Sequence, residues 1–355
     1  MASAPETTII LPSKASRARL LVDQKCRYHP SFASTAAHVV LSASDGIMYR
    51  MHSYTLRMAS GFFRDMFTLP QPSPPHPKEF YSQNIDVGRD VFVSTYVSSH
   101  ILTLFLMLIS GMPINTPLHE WGEFSPYTSC SDSCNPNEVS SHSCFDIIDR
   151  VLRLAENWDA PGPLSYIRLG LRSTELAKRD PLRLFSIASH FGWEYERNWA
   201  AQHSLMIDIS SLSDSDTQNT LEGMSSKDLL RLLKLRHRRK EEFRAYLDDP
   251  DRFSVGNSDI FCAQCHEARI DNGTWKILKE VMVAELERRP LGDSIVGYDV
   301  DGIGGENSTG GILTWPEAEA CFKATCEKGC GSLNYDECAT LKQIQGGIDS
   351  LPWDL

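Results

Sequence analysis

Between residues 38 and 67 the spacing of apolar positions changes period, and that change predicts the first fold elements. Val39, Val40 and Leu41 form a short β-branched run, Asp45-Gly46 offers a positive-φ turn, and Ile47, Tyr49 and Met51 alternate behind it. Together they read as a hairpin. The period then becomes helical through Leu56, Ala59, Phe63 and Met66-Phe67, with Ser60-Gly61 as a break between two short helices. A hairpin feeding directly into paired helices is the start of an α+β fold, not of a βαβ unit.

Further along, Ile85 and Val87 read as an edge strand, and the run Ile101 to Ile109 reads as a buried helix ending at Gly111. A membrane span needs about twenty such residues, so this run is too short. Phe145, Ile148, Leu152 and Ala155 make one stripe, with Ile147, Val151, Leu154 and Trp158 beside it, and Pro161-Gly162-Pro163 reads as an exit turn. Asp180-Pro181 is an N-cap and first-turn pair for a short helix ended by Gly192. Ser225 and Asp228 form a capping box for a helix to about Leu247, with an inner face of Leu229, Leu232, Leu233, Phe243 and Leu247. Trp275, Leu278, Val281 and Met282 give another helix stopped by Pro290, and a last helix from Tyr335 to Ile348 aligns Leu341, Ile344 and Ile348.

Between these elements, residues 1–35 lack periodicity and read as a flexible tail. Residues 71–77 are a Pro-rich break, and 112–143 read as a long irregular insertion. Residues 299–311 are glycine-rich but lack the Gly-Lys-Ser/Thr ending of a phosphate loop, G-x-G-x-x-G and EF-hand spacing, so they read as a flexible loop.

After the hairpin, His52, Leu56, Ser60, Phe63, Met66 and Phe67 stand at fixed spacing. This pattern resembles the BTB (POZ) domain. Thr-Leu-Pro-Gln-Pro after Phe67, the phrase at 151–164 and Trp-Pro-Glu-Ala-Glu-Ala-Cys at 315–321 resemble the expanded BTB family of mushroom-forming fungi. The resemblance implies a BTB domain over 36–165, a helical BACK-like region over 166–250 and a cysteine-bearing helical region over 251–355. It implies a protein–protein interaction module, dimerising with itself or with another BTB chain, its helical region recruiting further partners. His52 and Ser60 are then helix-cap and core groups. The chain has His38 where the family usually has Asp, and no Glu between Glu79 and Glu120, with Leu102 near the family's apolar-x-Glu position. These two departures put a charged co-repressor pocket and cullin binding in doubt for this chain.

Composition narrows the function classes. A net charge of −11 over 355 residues argues against nucleic acid or anionic membrane as the main partner. Ten cysteines are too sparse for a disulfide scaffold, and Ile9-Ile10-Leu11 is far short of a signal-peptide core. An intracellular location, cytoplasmic or nuclear, is expected, with the sequons at Asn272 and Asn307 unused. Lys14, Arg17 and Arg19 beside serines hint at a transit peptide, but Glu6, Asp23 and the early prolines fit a plain tail better.

No Gly-x-Ser-x-Gly elbow, His-Glu-x-x-His or phosphate loop occurs, in keeping with a non-enzymatic chain. Lys234, Arg236, His237, Arg238, Arg239 and Lys240 could be a nucleic-acid patch, which supports an alternative function as a nuclear DNA-associated regulator. Successive helical residues point all around the circumference, so a solvated face is the plainer reading. Cys130, Cys134, His142 and Cys144 have spacings compatible with a metal, or are cysteines of a polar loop.

Cys262-x-x-Cys265-His266 and Cys326-x3-Cys330 are the main chemical candidates. The second pair is expected at the C-terminal end of a helix capped by Thr314 and Glu317, with Pro316 in its first turn and Gly329 as its stop. Three readings are open: reduced structural cysteines without metal, a structural zinc held by Cys262, Cys265, Cys326 and Cys330, and c-type haem attachment at Cys262 to His266. A thioredoxin-like role lacks its βαβ unit.

Overall fold

A computed structural model describes residues 28–69, 91–114, 117–123, 144–173, 176–209, 215–257, 261–262, 264–297 and 311–355. The expected strand at Ile85 and Val87, the loop cysteines Cys130 and Cys134 with His142, and most of the glycine-rich 299–311 segment lie outside these residues. The described residues form a mixed α+β fold of many helices and a small three-stranded sheet. The chain divides into two compact units, residues 1–176 and 177–355. No helix among the described residues is long and apolar enough to cross a membrane.

The first unit is built on the hairpin that the sequence predicts. β1 (Val39–Ser42) pairs antiparallel with β2 (Met48–Met51), Val39 opposite Met51 and Leu41 opposite Tyr49. Gly46 takes a φ of +86° at the turn, which explains the Asp-Gly pair there. β3 (Val91–Ser94) adds to the other edge of β1 in parallel, Val39 beside Val91, so the order is β2-β1-β3. As the central strand β1 is covered on both faces, and Val39, Val40 and Leu41 are all buried without alternation. The sheet begins earlier than the sequence suggests. Tyr28 bridges Met48, a 3₁₀ turn follows at Pro30–Phe32, and His29 and Phe32 pack their rings against Tyr49. The flexible-tail reading of residues 1–35 is corrected for 28–32.

Two short helices follow the hairpin, α1 (Ser53–Ala59) and α2 (Gly61–Met66). Ser60 separates them, fully buried, its Oγ accepting the Phe63 amide at 3.2 Å and donating to the Trp158 carbonyl at 2.5 Å. α3 (Ser99–Ile109) is the buried apolar helix, followed by Gly111 at φ +64°. It is tied to the sheet by Tyr49, whose hydroxyl donates to the Ser99 carbonyl at 3.0 Å and lies 2.9 Å from Thr103 Oγ1. The turn residue Asp45 accepts the Ser99 amide at 3.0 Å, so one carboxylate serves the hairpin and the start of α3. α4 (Cys144–Asn157) buries both predicted stripes except Trp158, which is half-buried. Trp158, just past its end, sets its ring edge-on to Phe63 and Phe105.

Two expectations in this unit are corrected. The segment 112–143 is not wholly irregular, because Leu118–Glu123 is a 3₁₀ helix with Leu118 and Trp121 buried. Pro161-Gly162-Pro163 is not an exit turn. It opens α5 (Pro161–Ser173), where the missing proline amide costs nothing because first-turn amides have no helical partner.

The second unit is helical. α6 (Pro181–His190) starts as predicted, with Asp180 Oδ1 accepting the Arg183 amide at 3.1 Å, and Gly192 at φ +67° turns the chain into α7 (Glu194–Ser204). After α8 (Ser215–Gly223), the long α9 (Ser226–Asp248) begins at the Ser225–Asp228 capping box. Its buried face is Leu232, Leu235, Arg236, Arg239, Phe243 and Leu247. Leu233 is exposed instead, which corrects the expected inner face. One core joins Phe243, Leu247, Trp275, Leu278, Met282, Ile344 and Leu351, so the expected boundary at 250/251 runs through packed side chains. The later helices of this core are α10 (Gly273–Arg288), α11 (Pro316–Phe322) and α12 (Glu337–Asp349).

Candidate metal centre

Two loops of the second unit bring four cysteines together. The first runs from Phe261 to Arg269, whose ends form an antiparallel bridge, and the second from Thr325 to Leu333, closed the same way. In the first, the Cys262 amide donates to the Ala268 carbonyl at 2.8 Å and the His266 amide to the Cys262 carbonyl at 2.9 Å. In the second, the Cys326 amide donates to the Ser332 carbonyl at 2.9 Å and the Gly329 amide to the Cys326 carbonyl at 2.9 Å. Each loop thus folds back tightly enough to aim both of its cysteines one way. Positive φ angles make the reversal, +52° at His266 in one loop and +71° and +83° at Gly329 and Gly331 in the other.

The four Sγ atoms of Cys262, Cys265, Cys326 and Cys330 all lie within 4.8 Å of one another. Cys262 Sγ is 3.4 Å from Cys330 Sγ, and Cys265 Sγ is 3.8 Å from Cys326 Sγ. Zinc–thiolate bonds of about 2.3 Å place the sulfurs of a regular tetrahedron about 3.8 Å apart. The cluster therefore has the size of a tetrathiolate metal site, and these four residues are close enough to hold one ion.

Backbone amides shape the cluster's charge. The amides of Cys265 and then Gln264 donate to Cys262 and hold its thiol down to about 6, and those of Glu267 and Ala268 lower Cys265. At Cys326 the Lys328 amide pulls the same way, but burial and the three neighbouring sulfurs outweigh it and push the thiol up to about 11. Four crowded sulfurs resist ionising together, and a central divalent cation removes that cost.

The local setting differs from the one expected. α11 ends at Phe322, so Cys326 and Cys330 sit on a free-standing loop, not at a helix end, and Gly329 turns that loop. Trp315 is the N-cap of α11, while the Thr314 hydroxyl donates back to the Gly311 carbonyl at 2.9 Å. Haem attachment does not fit the geometry, because the Cys262 and Cys265 sulfurs converge on two further thiols in place of a ring edge. Cys144 starts α4, and Cys321 is buried in the helical core.

In the basic run at 234–240, Lys234 and His237 are exposed, as a solvated face requires, but Arg236 and Arg239 have a different use. Arg236 is buried and donates to the carbonyls of Ser204, Ile207 and Arg288 at 3.0, 2.8 and 2.8 Å. Arg239, fully buried, donates to Pro290 and Pro352 at 2.7 Å each, and its guanidinium lies 4.6 Å from the Trp353 ring centroid. Burial lowers both guanidinium groups to about 10, which leaves them cationic near neutrality. They tie the ends of α7 and α10 and the chain terminus to α9, whereas the sequence suggested a solvated face or a nucleic-acid patch. The signal was readable: Leu232, Arg236, Arg239 and Phe243 follow one another at helical spacing.

No protein-family model matches the chain, and no curated protein is similar to it at a significant level.

Proposed function

We propose that the protein is a non-enzymatic protein–protein interaction module of BTB type, with a structural zinc holding the loops of its second unit. The observation that carries the first part is the use made of the residues 38–67. Leu56, Ser60 and Phe63 are all fully buried, and Ser60 spends its hydroxyl on a helix cap and the Trp158 carbonyl. His52 stands at the N-cap of α1, exposed and without a side-chain cap bond. Ser60 is thus committed to structure, while His52 and the His38–Ser53 pair, hydrogen-bonded at 2.8 Å, lie on the exposed surface.

The same helices leave large apolar side chains outside. Tyr54 and Met58 lie one turn apart on α1, 72% and 66% exposed. Paired apolar side chains on one helix face suit a two-fold contact in which the patch meets its own copy. A dimer is expected by light scattering of the eluting full chain, and a Tyr54→Glu, Met58→Glu double variant is expected to run as a folded monomer. A wild-type monomer at micromolar concentration overturns the self-association reading.

The zinc part rests on the convergence of Cys262, Cys265, Cys326 and Cys330. Zinc there would draw 261–269 and 325–333 into one unit and contribute directly to folding free energy. The buried Arg236 and Arg239 weaken the DNA-regulator alternative, because those charges are spent on backbone carbonyls.

A further inference from the structure

The sulfur cluster has an internal pairing that bears on its chemistry without a metal. Each cysteine of one loop faces a cysteine of the other: Cys262 with Cys330 at 3.4 Å, and Cys265 with Cys326 at 3.8 Å. Within each pair one member is buried, Cys262 or Cys326, and the other, Cys330 or Cys265, is half-buried and reachable from solvent. That asymmetry matches a sulfur that meets an oxidant and a sheltered sulfur that resolves it. A disulfide needs about 2.05 Å between sulfurs, so each pair must close by roughly 1.5 Å. The movement falls on loops, not on helices of the core.

We propose that the cluster is a redox-responsive clasp, which a peroxide converts into two cross-loop disulfides, Cys262–Cys330 and Cys265–Cys326, with release of the bound metal. The inference rests on the zinc reading above and deepens it. In each pair the accessible thiolate attacks peroxide, the O–O bond breaks, and a sulfenic acid forms with loss of hydroxide. The buried partner then attacks that sulfur, the S–S bond forms, and a second hydroxide leaves. Two peroxides thus accept four electrons from four thiolates, four protons turn the hydroxides into water, and one divalent ion is freed. The loops stay joined in both states, by thiolate–metal bonds under reducing conditions and by disulfides under oxidising ones. The cysteines cross-linked are 68 and 61 residues apart in sequence, so each disulfide would restrain a long segment of the unfolded chain.

The test is titration of the reduced, zinc-loaded full chain with hydrogen peroxide, with zinc followed by a chromogenic chelator and disulfides mapped in a non-reducing digest. The expected result is two peroxides consumed per zinc released, peptides joined as 262–330 and 265–326, and recovery with dithiothreitol and zinc. Cys330→Ser should still form the 265–326 link. Within-loop pairs, Cys262 with Cys265 or Cys326 with Cys330, would overturn the clasp, as would sulfinic acid formation with zinc retained. Zinc analysis of the untreated chain keeps the two ideas apart. A chain that never held zinc sinks the metal reading and the release step together, whereas a zinc-bound chain giving within-loop disulfides sinks the clasp alone.

Discussion

Arg239 shows how a single charged side chain can act as core. Its donors reach the carbonyls of Pro290, just past α10, and of Pro352, near the end of the chain. Arg239→Met should leave those carbonyls unpaired and cost the second unit about 3 kcal/mol or more, read as a lower denaturant midpoint. Arg239→Lys should recover little of this, since one ammonium cannot span the fork of contacts. His29 makes a second residue-scale prediction. Burial against Phe32 and Tyr49 lowers its pKa below 6.5, so the folded chain holds the ring neutral. The unfolded chain then binds the proton more readily. Stability from this group is present above about pH 6.5 and falls as pH drops toward the folded value. His29→Phe should flatten that part of the stability–pH curve in urea titrations between pH 7 and 5. If the slope is unchanged, another group is responsible. At this scale the sequence pointed to Ser60 as a cap and core group and picked out the four cysteines that the structure brings together. Arg236 and Arg239 were read as surface because charge outweighed their position on an apolar stripe.

At the scale of elements, periodicity identified the hairpin and most of the helices, while their ends depended on backbone geometry that composition does not encode. The Asp45-Gly46 turn, the Asp180 cap and the Ser225–Asp228 box stand where predicted, because each is a local signal of a few residues. Pro161 was misread because proline both ends helices and starts them, and only the packing downstream decides which. β3 escaped notice since its partner β1 is about fifty residues away in sequence. Close approach between elements gives a sharper test. The Gly61 amide donates to the Asp159 carbonyl at 2.9 Å, and a Cβ at Gly61 would run into the Asp159 carboxylate. Gly61→Ala should therefore destabilise the first unit by about 1–3 kcal/mol despite adding helix propensity. A neutral effect of Gly61→Ala in thermal unfolding, together with a neutral Gly61→Ala, Asp159→Ala double variant, would mean that the Asp159 carboxylate swings out of the way.

For the molecule as a whole, the two units carry separate parts of the account. The first offers an exposed Tyr54–Met58 face beside a fully packed hairpin and helix pair, and the second carries the cysteine loops. The sequence named all four cysteines, because Cys-x-x-Cys and Cys-x3-Cys are short spacings that mean the same thing in any fold. It could not show that loops some sixty residues apart meet, nor that both are closed by β-bridges. Glu substitution at Tyr54 and Met58 should abolish dimer mass while the monomer stays folded, since both side chains are exposed in the single chain, and the unfolding midpoint should lose its dependence on protein concentration. Chelation should act on the other unit, increasing hydrogen exchange across 261–269 and 325–333 before the helical core opens. The most direct measurement is metal content by plasma mass spectrometry on the full chain, purified under reducing conditions without added metal. One zinc per chain is expected, lost in the Cys262→Ser, Cys326→Ser variant and released from wild type on denaturation, oxidation or strong chelation. A folded wild-type chain that is free of metal and takes up none from excess zinc would contradict the account.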